Sequence, residues 1–229
     1  MNGFRFLYVL IAPRPRYPWL AHLLVLAPLL IAMTFILFEV GWWGEPVRLF
    51  FAPLATSYPR LTDVMRLLTH VGNPLVYAVY LFLFLRALIQ RRYQELLFTL
   101  RCLLFSVLFL CVIMQIMKYG LGMPRPDVPW PPQPLAFVNA YASFPSGHTT
   151  TVIAAAVPLA LWFRNRTLSC GLALLIALMG ISRVWLGQHH PVDILGGMVL
   201  GSLAARFIAG DPATPAEKSM KKRPERANT

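Results

Sequence analysis

The chain has 229 residues, of which 57% are hydrophobic and only 13% charged. A mean hydropathy of +0.59 and several apolar runs of about 20 residues exclude an ordinary soluble globule. The formal net charge of +12 would suit a nucleic-acid partner, but the basic residues fall in short clusters between apolar runs and in the tail "EKSMKKRPER", a pattern that reports membrane topology instead.

A helix needs about 20 residues to cross a hydrocarbon core of roughly 30 Å, and six segments meet or approach that length. The expected fold class is therefore all-α, a polytopic membrane protein with six transmembrane helices. The start "MNGFRFLYVLIAPRPRYPW" runs into Pro13, Arg14, Pro15 and Arg16 where a small-residue cleavage site would stand, so it does not read as a signal peptide. The first span runs from Trp19 to Phe38, with Pro28 as a tolerable kink. Residues 39 to 71 are mixed; Leu61, Val64, Leu67 and Leu68 at helical spacing, with Arg60, Asp63 and Arg66 between them, predict a short amphipathic helix at the interface.

The remaining spans are expected at Val71 to Ile89, Leu96 to Met117, His148 to Phe163, Leu168 to Leu186 and Val192 to Ile208. In the last, Gly197 and Gly201 stand four apart, which permits close helix approach. Cys102, Cys111 and Cys170 lie inside apolar runs without metal-ligand spacing and read as small packing residues. The basic clusters, Arg5, Arg14 and Arg16 before span one, Arg86, Arg91, Arg92 and Arg101 around the second connection, Arg164 and Arg166 in the fourth, and the tail, all fall on one side if there are six spans. That side is expected to be cytoplasmic, with both termini inside and connections one, three and five facing outward. Residues 1–209 then form a single membrane domain, followed by a basic, disordered cytoplasmic tail at 210–229.

The outward connections hold the unusual polar residues. The third opens with "KYGLGMPRP", Lys118 to Pro126, and closes with "FPSGHTTT", Phe144 to Thr151; the fifth is "ISRVWLGQHHPVDIL", Ile181 to Leu195. Taken singly, Lys118 and Arg125 could snorkel, Ser146 could be only an N-cap, and Asp193 with a histidine one turn earlier could be a structural helix-start pair. Together they gather three cations, a helix N-terminus after Ser146 and histidines on one face. That is the chemistry of a phosphate site: cations and oriented N–H groups stabilise equatorial oxygens, one histidine can attack phosphorus and another can protonate the leaving oxygen. Both His189 and His190 can face Asp193 on a helix, so spacing alone does not choose between them.

Lys118, six residues, Arg125 and Pro126; Pro145, Ser146, Gly147 and His148; Ser182, Arg183, five residues, His189, three residues and Asp193: this resembles the three-part signature of the type 2 phosphatidic acid phosphatase family, over residues 60 to 208. The resemblance implies a metal-independent phosphatase, without cofactor, acting on a phosphomonoester or pyrophosphate of a membrane lipid. Undecaprenyl pyrophosphate, phosphatidylglycerol phosphate, phosphatidic acid and lipid A 1-phosphate are the candidate substrates. It implies that Lys118, Arg125 and Arg183 hold the phosphoryl oxygens with the Ser146 hydroxyl and the Gly147 N–H. His189 would form the phosphohistidine, Asp193 would orient it and His148 would be the general acid. The location implied is a bacterial inner membrane, with the site facing the periplasm or exterior and the loop Val128 to Phe137 lining a lateral entrance. A lipid phosphotransferase would share the intermediate. A vanadate-dependent haloperoxidase shares the pocket but not the spans, and an anion transporter would place its cations deep within the spans.

Overall fold

The structure, a computed structural model, describes residues 10–11 and 16–210. Among these it is helical, without strands. Arg5, Arg14 and the tail from residue 211 lie outside the described residues.

Helix α1 (Trp19–Glu39) is followed by α2 (Glu45–Ser57) and α3 (Pro59–Ile89). Helix α4 (Tyr93–Leu121) contains a π-wound stretch at Val107–Ile113, and α5 (Gly147–Phe163), α6 (Arg166–Trp185) and α7 (Pro191–Ile208) complete the bundle. Five of these, α1, α3, α4, α6 and α7, are long and apolar enough to cross a membrane, and α5 is a shorter apolar helix. Their outward faces carry Leu24, Ile31, Phe35, Leu81, Phe82, Ile116 and Val199, large apolar side chains that only lipid would cover. The protein is an integral membrane protein.

The separate amphipathic helix expected at 60–68 is instead the first part of α3, one continuous helix of 31 residues. Pro59 at its first turn has no N–H to leave unsatisfied, and the apolar positions continue in phase past Pro74, so nothing stops the helix between. At 1.5 Å per residue it is about 46 Å long against a core of roughly 30 Å, so its first turns project beyond the hydrocarbon. The helix in the first connection is α2, which the sequence reading left as mixed chain.

Helix α5 is the centre of the bundle: Val152, Ile153, Ala154, Ala155, Ala156 and Val157 are fully buried. Its main partner is α7, and the approach depends on Gly197 and Gly201. A Cβ on Gly197 would stand 2.8 Å from the Ser146 carbonyl oxygen, and one on Gly201 would stand 2.8 Å from that of Thr150. The small-residue spacing therefore does set a close contact, and that contact locks the start of α5 to the start of α7. Of the three cysteines only Cys102 packs inside; Cys111 and Cys170 lie on the outer surface, because a helix in a bundle buries only one face.

The connection Arg91–Arg92 and the pair Arg164–Asn165 lie at the end of the bundle away from "SGH", and Arg91, Arg92, Arg164 and Arg166 are exposed there. Arg86 is paired with the buried Glu95, and Arg101 is itself buried, so these two do not present free surface charge.

Candidate active site

The site forms where the third and fifth connections meet. Helix α4 ends at Gly122, whose φ of +57° reverses the chain; a side chain there would overlap the backbone of Gln133. One turn earlier Lys118, buried at 9% exposure, donates from Nζ to the Ala142 carbonyl at 2.6 Å. The loop is tied back to α4 by Gln133 N to Gly122 O at 2.9 Å and Leu135 N to Tyr119 O at 2.7 Å.

Ser146 is the N-cap of α5 and is fully buried. Its N–H donates to the Asp193 carbonyl at 2.9 Å, which joins the first turns of α5 and α7. Gly147 begins α5, and the helix geometry leaves the first amides after Ser146 without an acceptor one turn back. A Cβ at Gly147 would meet Met114 Sδ at 3.4 Å and Lys118 Cε at 3.9 Å, so this helix start faces the end of α4.

Helix α7 starts with His190 as N-cap, Pro191 at its first position and Asp193 at its third. Asp193 Oδ2 accepts the His190 N–H at 2.8 Å and the Ser143 hydroxyl at 2.5 Å, and it stands 3.4 Å from His189 Nδ1. Ser143 Oγ is also 3.5 Å from His189 Nδ1. A proton on Nδ1 shared with this carboxylate leaves Nε2 with its lone pair. Burial pulls the His189 imidazole down from an ordinary 6.5 to about 4, against the raising effect of Asp193 and with help from Lys118 and Arg183. The ring is therefore a free base at neutral pH.

The neighbouring histidine has different surroundings. His190 stacks on Trp43 with ring centroids 4.0 Å apart, its Nδ1 accepts the Gly44 N–H at 3.3 Å, and its ring hydrogen-bonds the backbone of Pro124. Both polar edges are engaged in holding connections together. Burial lowers its pKa too, with Asp193 acting the other way.

Arg183 sits in the last turn of α6, 6% exposed, and its carbonyl accepts the Gln188 and His189 amides at 3.0 and 3.2 Å. Its Nε and Asp193 Oδ1 are buried polar atoms without a hydrogen-bond partner. Arg125 is more committed: Nε donates to Asn139 O, Nη1 to Gln188 O and Oε1, and Nη2 to Asn139 Oδ1, all at 3.0 to 3.1 Å. Of five guanidinium donors one N–H remains, on Nη2. His148 lies in the first turn of α5, within Coulombic reach of Arg183, His189, Lys118 and Arg125.

The structure thus brings together Lys118, Arg125, Ser146, Gly147, His148, Arg183, His189 and Asp193. Sequence reasoning missed Ser143, Asn139 and Gln188, which touch these residues, and Trp43, which stacks on His190. Gln188 adjoins a singled-out histidine and Ser143 precedes the "SGH" turn, but neither has a chemistry that marks it in a sequence. Among the described residues no group of three or more His, Cys, Asp or Glu side chains is placed to hold a metal ion.

Fold and site define a helical membrane protein with a buried imidazole–carboxylate pair beside a cationic pocket. The chain belongs to the PAP2 superfamily, whose model matches residues 99–214, just over half of the sequence. It is 44% identical over 88 residues to an undecaprenyl-diphosphatase of Bacillus subtilis (strain 168), covering 37% of this chain and 45% of the relative. It is 33% identical over 108 residues to a lipid A 1-phosphatase of Rhizobium johnstonii, covering 44% and 42%. It is 33% identical over 106 residues to phosphatidylglycerophosphatase B of Bacillus subtilis (strain 168), covering 42% and 49%. The matched segments thus span less than half the length of these relatives. No solved structure matches the chain.

Proposed function

We propose that this protein is a membrane lipid phosphatase that hydrolyses a phosphomonoester or diphosphate through a phosphohistidine. The observation that carries the reading is the arrangement around Asp193 Oδ2: Ser143 at 2.5 Å and His189 Nδ1 at 3.4 Å orient a free-base imidazole. Its Nε2 is then left for the substrate, with Lys118 and Arg183 close enough to act on the ring through space. His189 Nε2 attacks phosphorus, the bond to the leaving oxygen breaks, and His148 donates a proton to that oxygen. Water then attacks the phosphohistidine, His148 takes its proton, and inorganic phosphate leaves. Lys118 and Arg183, the first amides of α5 and the Ser146 hydroxyl stabilise the equatorial oxygens; Arg125 contributes its remaining N–H and fixes the loop.

These cations and amides supply the positive charge that a metal ion supplies elsewhere, so the reaction needs no metal or cofactor. The relatives' names, an undecaprenyl-diphosphatase, a lipid A 1-phosphatase and a phosphatidylglycerophosphatase, support a phosphate carried on a membrane anchor as the substrate. With α5 counted as the sixth span, both termini are cytoplasmic. The exposed Arg91, Arg92, Arg164 and Arg166 support a cytoplasmic position for the end opposite the site, which then opens at the outer face of a bacterial inner membrane. Residues 1–209 form the single catalytic domain. The test is phosphate release by the purified full-length protein from undecaprenyl diphosphate, phosphatidylglycerol phosphate, phosphatidic acid and lipid A 1-phosphate in excess EDTA. Release from at least one is expected; none with EDTA, and release restored by Mg²⁺, would refute the histidine mechanism.

A further inference from the structure

The first half of α3 forms one wall of a cavity of about 640 Å³. Arg66, Thr69, His70 and Asn73 line it from α3, and His148 and Arg183 line it from the site. The cavity therefore opens on the side of the pocket where His148 protonates the departing oxygen.

Three features of this wall concern an anion. Arg183 Nε is a buried donor without a hydrogen-bond partner, and beside it Asn73 gives its Nδ2 to the His148 carbonyl at 3.5 Å. His70 is anchored at the rim by a 2.7 Å contact between Nδ1 and the Arg66 carbonyl. Among the described residues Arg66 pairs with Asp63 alone, three residues earlier, at 3.1 Å, and both side chains are mostly exposed. Exposed pairs of this kind contribute little, so the guanidinium can exchange that carboxylate for a ligand oxygen. A cavity walled by two arginines and two histidines suits a negatively charged occupant; a neutral lipid alcohol would leave Arg66 without a role.

We propose that Arg66, with Arg183, forms the leaving-group subsite and that it holds a phosphate. The preferred substrate is then a lipid diphosphate: His189 attacks the terminal phosphorus, the bond to the bridging oxygen breaks, and the lipid monophosphate departs into this cavity with the proton from His148. The inference rests on the phosphohistidine reading above, and adds a residue outside the signature segments that selects diphosphate over monophosphate.

The test compares farnesyl diphosphate with farnesyl monophosphate as substrates of the purified full-length protein. Removing one charge-assisted contact to the leaving phosphate should lower the ratio of kcat/KM for diphosphate over monophosphate by at least tenfold in Arg66→Ala, with Arg66→Lys retaining part of it. Alanine favours a helix at this exposed position, and an unchanged melting temperature checks that the fold survives. Arg60→Ala, which removes an exposed charge of the same helix outside the cavity, should leave both rates unchanged. An unchanged ratio in Arg66→Ala, or a wild type that prefers the monophosphate, overturns the subsite while leaving the phosphatase reading intact. Release from neither substrate by a protein also inactive on the wider lipid panel would instead refute the phosphatase reading.

Discussion

The adjacent histidines make the sharpest prediction, because the proposed mechanism gives them opposite roles and the structure gives them different surroundings. His190→Ala removes the ring that stacks on Trp43 at 4.0 Å, the acceptor for the Gly44 N–H and the contact with Pro124. An aromatic pair contributes about 0.5–1.5 kcal/mol and a half-buried hydrogen bond about 1 kcal/mol, so the loss should be about 2 kcal/mol. For a chain of this size that lowers the melting temperature by on the order of 5 °C. The backbone N–H that His190 gives to Asp193 is retained in the variant, so the pair at His189 keeps its geometry. His189→Ala has the reverse profile: Asp193 Oδ2 keeps its bonds from Ser143 and from His190 N, the fold is little changed, and the nucleophile is gone. Rapid quench of phosphorus-labelled substrate into alkaline detergent, in which phosphohistidine survives, should trap label in wild type and His190→Ala but none in His189→Ala. Label retained by His189→Ala and lost in His190→Ala would refute the reasoning.

Ser143→Ala removes the hydroxyl that holds Asp193 Oδ2; a hydrogen bond to a charged group contributes about 1.5–3 kcal/mol, so kcat should fall about tenfold to a hundredfold without loss of label trapping. Gly197→Ala pushes a methyl to within 2.8 Å of the Ser146 carbonyl, whose position fixes the start of α5. Phosphate release should drop at least tenfold, whereas Gly171→Ala, where a Cβ has open space, should be harmless. The acid limb of kcat/KM should lie near pH 4 rather than 6.5, because burial holds His189 below its ordinary value and protonation disables it. Since Asp193 raises that value, Asp193→Asn should move the limb further down while lowering kcat; a limb moving up would mean the carboxylate is not facing His189.

Length and hydropathy are enough to give the helical membrane class, and a local signal, Pro191 after His190, marks the start of α7, whereas the end of α4 at Leu121 lies four residues past the expected Met117. The sequence also marked the candidate site residues, since cations, a "PSGH" turn and a histidine four before an aspartate are too polar for their surroundings. It misjudged residues 59–70, where a helix continued past the apolar span because neither Pro59 nor Pro74 obliged it to stop. Helix spacing leaves His189 and His190 open and the family resemblance alone selects His189; the tertiary structure adds that Trp43 and Gly44, nearly 150 residues away, occupy the ring of His190. Only packing, through Gly197 against Ser146, brings the start of α5 to the start of α7. Only the fold places Ser143 on Asp193 and the Arg66 face of α3 beside His148, because such contacts join elements whose separation along the chain carries no periodic signal.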